Sequence, residues 1–169
     1  AWRHTWPSLT LFSNSASSNL PGWPMPHHDG FPPASHVIDY FARYEQRYEL
    51  PIRRPVKVDK VDHDGSCFHV FAGEEHLASR TVVAATGTWS APFIPYYPGD
   101  FAGRQWHSAF YPGPEAFAGS TVAVVGAANS GAQISADLLL SGVKTTWYTR
   151  NSPRWMPDDV DGRVLFQRN

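Results

Sequence analysis

The chain has 169 residues, 42% of them hydrophobic, with 14 basic against 15 acidic side chains and a formal net charge of −1. That composition suits a soluble globular protein with one ordinary buried core, and so even a charge balance supplies no field for nucleic acid or an anionic membrane. The single cysteine, Cys67, allows neither an internal disulfide nor a dithiol redox centre, and no apolar run reaches the roughly 20 residues of a membrane-spanning helix, so a cytoplasmic setting is expected.

In chain order, residues 1–33 are rich in Trp, Pro, Ser and Gly without period 2 or 3.6, and read as an irregular binding segment packed on other elements. Its opening lacks the charged-then-apolar order of a signal peptide. The next stretch predicts a helix capped by Ser35, with Val37, Phe41, Tyr44 and Tyr48 on one face. Alternation in VKVDKV, an Asp64-Gly65 turn and CFHVF predict a β-hairpin. HLASRTVVAATG predicts a third strand, buried on both faces over residues 82–85. Prolines at 92, 95, 98, 112 and 114 mark a linker, and a domain boundary is placed within it. TVAVVG is then a short buried strand, SGAQISADLLLSG a helix ending at Gly142, and VKTTWYTR a second strand, together a βαβ unit.

The sharpest motif is Gly126-Ala127-Ala128-Asn129-Ser130-Gly131, between that strand and that helix. A dinucleotide loop needs a glycine for the tight turn, close backbone approach to the pyrophosphate, and free amides at the helix start. Ala128 replaces the usual middle glycine, which leaves less room for the pyrophosphate, and Asn129 or Ser130 can cap the helix. A merely tight structural turn is the bland alternative. About 20 residues on, where an acidic residue would hold the ribose of NAD, the chain has Thr149-Arg150 and then Arg154. A guanidinium fork at Arg150 suits a 2′-phosphate and favours NADP over NAD, against the plain reading of an exposed loop arginine. The adjacent His27, His28 and Asp29, and Asp158, Asp159 and Asp161, read as solvated loops, and no metal site is expected.

Within the linker, Phe101, Gly103, His107 and Tyr111 fall in FAGRQWHSAFYP with the spacing FxGxxxHxxx followed by an aromatic residue. Here the chain resembles the single-chain flavin-dependent monooxygenases, a family that includes N- and S-oxygenating enzymes and Baeyer–Villiger enzymes. Tyr111 stands where Baeyer–Villiger enzymes usually carry Trp. VVAATGTW, with Thr86 and Gly87, resembles the segment that ends the flavin domain of this family, where Gly87 lets the chain turn sharply. The opening AWRHTW resembles a segment lying along the flavin, and LPGWPMP one running over its ring edge.

The resemblance implies an α/β flavoprotein with two dinucleotide-binding (Rossmann-like) domains, incomplete at both ends. Residues 1–95 would be the remainder of the FAD-binding domain without its first glycine loop. Residues 96–118 would be the linker, and 119–169 the first βαβ unit of the NADPH-binding domain. It implies FAD and NADPH as cofactors and oxygenation of a small-molecule substrate through a peroxyflavin, with N- or S-oxygenation favoured. Gly126, Ala128, Asn129, Ser130, Gly131 and Arg150 would bind NADPH; Trp2, Arg3, Trp6, Thr86 and Gly87 would lie by FAD; and His107 would be a hinge or cofactor-shell residue. Aromatic packing residues are the plainer reading of His107, Tyr111 and the tryptophans. Homo-oligomers are compatible with this picture. The rivals are an inert NADP-binding fragment and a flavin-dependent NADPH oxidoreductase without oxygenation; for a disulfide reductase, Cys67 lacks a partner thiol.

Overall fold

The computed structural model describes residues 2–157, 159, 160 and 162–165. Asp158 and Asp161, expected in a solvated turn, and Ala1, at the head of the flavin-like segment, lie outside the described residues; Asp159 is exposed.

Residues 2–33 are irregular, as their composition predicts, with two 3-10 turns at Trp2–His4 and Ser15–Ser17. An isolated bridge between Thr10 and Pro33 pins the segment to the start of helix α1, Ala34–Arg47. Pro33, not Ser35, occupies the N-cap, and no side chain caps the helix. The bridge and the fixed proline φ define the entry without a hydroxyl. Val37 and Tyr40 are the fully buried residues of α1, at 1% and 0% exposure. The Tyr40 hydroxyl donates to the Trp23 carbonyl at 2.6 Å and accepts from the Leu20 amide at 2.8 Å, satisfying two groups of the irregular segment at once. Phe41 and Tyr44 pack beside them, whereas Tyr48, expected on this face, lies past the last helical turn and is 40% exposed.

Strands β1 (Lys60–His63), β2 (Phe68–Ala72) and β3 (Glu75–Ser79) form an antiparallel sheet in that order. His63 faces Phe68 across the predicted Asp64-Gly65 turn, where Gly65 has φ 98°. The strands are shorter than expected: β1 omits residues 56–59, and β3 stops at Ser79. Residues 82–85 form no strand and are exposed, Val83 at 82%. Burial on both faces requires covering layers and paired edges, and no described strand pairs with this run.

The βαβ unit is present: β4 (Thr121–Val125), α2 (Asn129–Leu140) and β5 (Lys144–Tyr148), with β4 and β5 parallel and Val125 opposite Tyr148. β4 is not fully buried as expected but alternates between exposed and half-buried residues, because α2 covers one face of a two-stranded sheet. The helix ends as predicted at Gly142, which has φ 77°. The Gly142 amide donates to the Leu139 carbonyl at 3.0 Å and the Val143 amide to Leu138 at 2.9 Å, closing the last turn through a left-handed glycine. Leu138 and Val143 then enter one core cluster with Ile134, Tyr111 and Trp6. That cluster joins the irregular opening, the linker and α2, so packing crosses the boundary expected near residue 95. No described helix is long and apolar enough to cross a membrane.

Candidate nucleotide and flavin site

The glycine loop leaves β4 at Gly126, whose φ of 124° is open to glycine alone. Its amide donates to the Tyr148 carbonyl at 3.0 Å and its carbonyl accepts from the Trp147 indole at 2.7 Å, so β5 holds the turn from both sides. Gly131 packs so closely on this turn that a Cβ there would run into the Gly126 carbonyl oxygen. Ala128, with ψ 173°, is the N-cap of α2 and offers no side-chain acceptor; Asn129 and Ser130 lie inside the helix rather than capping it. The first-turn amides are therefore left without a side-chain cap, which is the arrangement an anionic pyrophosphate requires. Parallel pairing places the end of β5, and thus Arg150, at the same carboxyl edge as Gly126. Arg150 is exposed, with no ion pair among the described residues.

The fingerprint divides into two parts. Phe101 is 63% exposed and its ring folds over Gly103, where a Cβ would approach it to 2.8 Å. His107 and Tyr111 bracket a 3-10 turn, Ser108–Phe110. His107 Nδ1 accepts the Ala109 amide at 3.1 Å, so a neutral ring carries its proton on Nε2. Tyr111 is 7% exposed, edge-on to Trp6 at 6.0 Å and stacked on Phe117 at 5.8 Å. Its hydroxyl donates to Asp137 Oδ2 on α2 at 2.8 Å. Burial first, and then the Asp137 carboxylate, push its pKa well above the ordinary phenol value. Tyr111→Phe is accordingly expected to cost about 1–2 kcal/mol, read as a lower midpoint in chemical denaturation, because Asp137 loses its donor.

A cleft of about 240 Å³ is lined by Ser130 of the glycine loop, His107, Ser108 and Ala109 of the fingerprint turn, Thr88 and Trp89, and Trp6 and Leu9. Four separate stretches of sequence thus converge. Of the three residues expected beside the flavin near the start of the chain, only Trp6 lines this cleft. Trp2 packs against the α1 cluster of Met25, Val37 and Tyr40, and Arg3 is exposed. Thr86 and Gly87 are exposed just ahead of Thr88, with Gly87 at φ 64° making the predicted sharp turn. The buried Trp6 indole N–H has no acceptor among the described residues, which suits a bound acceptor group. Trp147, Asp137, Trp89 and Leu9 escaped the sequence reading; their side chains matter through long-range contacts that no local spacing signals. A second depression of about 260 Å³, lined by residues including Asn14, His28 and Phe31, shares no residue with the cleft.

A parallel βαβ unit with a glycine loop at its carboxyl edge, opening beside an aromatic cleft, defines a dinucleotide-binding oxidoreductase module. The chain belongs to the pyridine nucleotide-disulphide oxidoreductase family, whose pattern matches residues 5–164. It is similar to a flavin-containing monooxygenase from Stenotrophomonas maltophilia: 47% identity, a TM-score of 0.91, covering 99% of this chain and 52% of that one. It is 34% identical to a CzcO-like oxidoreductase of Geobacillus kaustophilus, over 81% of this chain and 40% of the relative. It is 31% identical to the indole-3-pyruvate monooxygenase YUCCA1 of Oryza sativa subsp. japonica, over 98% of this chain and 42% of the relative. The chain thus spans about half or less of the length of these relatives. The expected α/β flavoprotein fold and the resemblance to flavin monooxygenases agree with these matches.

Proposed function

We propose that the chain serves an FAD- and NADPH-dependent monooxygenase that transfers oxygen to a nitrogen or sulfur atom of a small molecule. The observation that carries this reading is the cleft in which Ser130, His107, Thr88 and Trp6 meet. Bound flavin, reduced by NADPH, would supply the oxygen-activating chemistry. The uncapped amides at the start of α2 would hold the NADPH pyrophosphate, with Gly126 and Gly131 giving the backbone its close approach. Arg150 would grip the 2′-phosphate from the same sheet edge. Trp6 would direct its indole N–H at an acceptor on the flavin, and Trp89 would help exclude water. His107, fixed by the Ala109 amide, would orient its Nε2 proton as a positioning group. Tyr111 at the last fingerprint position supports heteroatom oxygenation over Baeyer–Villiger chemistry. A cytoplasmic location, possession of two dinucleotide domains divided near residues 95 and 118, and self-association belong to the same reading. Disulfide exchange has less support, since the chain holds one cysteine.

The test is to load the chain with FAD, remove the excess by gel filtration, and follow the flavin spectrum with NADPH and with NADH under air. Retained flavin bleached by NADPH supports the reading; binding of neither FAD nor NADPH overturns it. Arg150→Ala is expected to weaken NADPH about tenfold or more while leaving NADH unchanged, since a charge-assisted bond to phosphate contributes about 1.5–3 kcal/mol. Titration of each nucleotide by intrinsic fluorescence checks it.

A further inference from the structure

Asp64, Cys67 and His69 lie together at the turn joining β1 to β2, remote in sequence from the glycine loop and the fingerprint. Their donor atoms converge: His69 Nε2 is 2.8 Å from Asp64 Oδ2 and 3.6 Å from Cys67 Sγ, and Sγ is 4.0 Å from Oδ2. We propose that these three side chains bind a single divalent transition-metal ion of the zinc type, with His76 as a positioning residue.

The geometry is close to what such an ion demands. Tetrahedral bonds of about 2.0–2.3 Å set neighbouring ligand atoms about 3.3–3.6 Å apart, so the three observed separations need adjust by only about half an ångström. The remaining polar atoms of the ligands are already engaged in ways that aim them. Asp64 Oδ1 accepts from the Ser66 amide at 2.8 Å, the Ser66 hydroxyl at 2.7 Å and the Cys67 amide at 2.9 Å, leaving Oδ2 turned toward His69. His69 Nδ1 is 2.8 Å from His76 Nε2, the outer bond that fixes ring orientation and tautomer in metal-bound histidines. His76 is itself held, stacked on Phe71 at 4.7 Å and 6°.

A nucleophilic relay is the competing use of a Cys, a His and an Asp. It requires the acid and the thiol on opposite ring nitrogens, whereas here both face Nε2. Convergence on one nitrogen describes a shared central ion. The donor set of thiolate, imidazole and carboxylate favours zinc or cobalt over calcium or magnesium, which take oxygen ligands alone. Asp64 is exposed, so a water molecule can complete four-coordination. On binding, the thiol proton passes to solvent. The ion would staple the turn to β2, independently of flavin or nucleotide.

The test uses the whole chain, stripped with chelator and titrated with Co²⁺, then Zn²⁺. One equivalent of Co²⁺ is expected to give a thiolate-to-cobalt charge-transfer band in the near ultraviolet, which one equivalent of Zn²⁺ abolishes. Cys67→Ser is expected to remove the band, and His69→Gln to weaken Zn²⁺ at least 100-fold. His76→Phe, which keeps the stack, should retain the band and weaken Zn²⁺ about 10- to 100-fold. His27→Ala, in a separate exposed loop, should change nothing. Absence of the band in the unsubstituted chain, or its survival in Cys67→Ser with unaltered circular dichroism, overturns the site.

Discussion

Gly131→Ala is expected to weaken NADP⁺ binding by about 10- to 100-fold and to lower stability by about 1–3 kcal/mol. The added methyl meets the Gly126 carbonyl oxygen, a backbone atom that cannot swing aside as a flexible side-chain end could. That carbonyl is bonded to the Trp147 indole, and the Gly126 amide to the Tyr148 carbonyl, so moving the loop disturbs its attachment to β5. Relief can come by pushing the start of α2 away from β4, which displaces the amides proposed to hold the pyrophosphate. Nucleotide titration by calorimetry, alongside thermal melting, separates the two losses. Gly119→Ala offers a contrast: nothing lies near its Cβ position, so its cost comes only from its φ of 71° and should leave nucleotide affinity intact.

Trp6→Ala is expected to cost about 3–5 kcal/mol, enough to abolish cooperative unfolding in a marginal domain. The indole is 5% exposed and shares one cluster with Tyr111, Ile134, Leu138 and Val143, with Leu9 and Trp89 packed against it. Its removal opens a cavity between the irregular opening and α2 and severs their main apolar contact. Trp6→Phe keeps an aromatic ring in the cluster and removes the orphaned N–H with part of the indole, so its stability loss should be smaller than that of Trp6→Ala. If that donor serves the flavin, Trp6→Phe lowers FAD retention while keeping a cooperative unfolding transition, at a midpoint above that of Trp6→Ala. Denaturation monitored by tryptophan fluorescence, with flavin retention on gel filtration, distinguishes the two outcomes.

The features legible in the amino-acid order are those whose cause is local. Gly126 and Gly142 need left-handed or otherwise open backbone, Asp64-Gly65 needs a tight turn, and each stands where its motif places it. The spacing from 101 to 111 carries the likeness to flavin monooxygenases, and periodicity marks α1, β2, α2 and both strands of the βαβ unit. Periodicity also misled where an apolar pattern had nothing to pack on. Residues 82–85 look like an interior strand, yet exposure of Val83 shows that apolar character alone does not create a partner. Tyr48 continues the helical spacing but sits at the C-cap, one residue past the end of α1, while Tyr40 takes the buried place, its hydroxyl meeting Leu20 and Trp23.

Sequence by itself determined the glycine turn after β4, the helix that follows it and the resemblance to flavin monooxygenases, because turn chemistry, hydrophobic period and short motifs act over a few residues. Tertiary structure alone decided which residues share a cleft, since Trp6, Thr88, His107 and Ser130 are brought together by burial of Trp6 and Tyr111 against α2. It likewise decided that His69 faces both Asp64 and Cys67 with one nitrogen, a consequence of the β1–β2 turn and strand register. Side-chain direction across packed elements depends on cooperative burial, and no spacing rule along the chain encodes it.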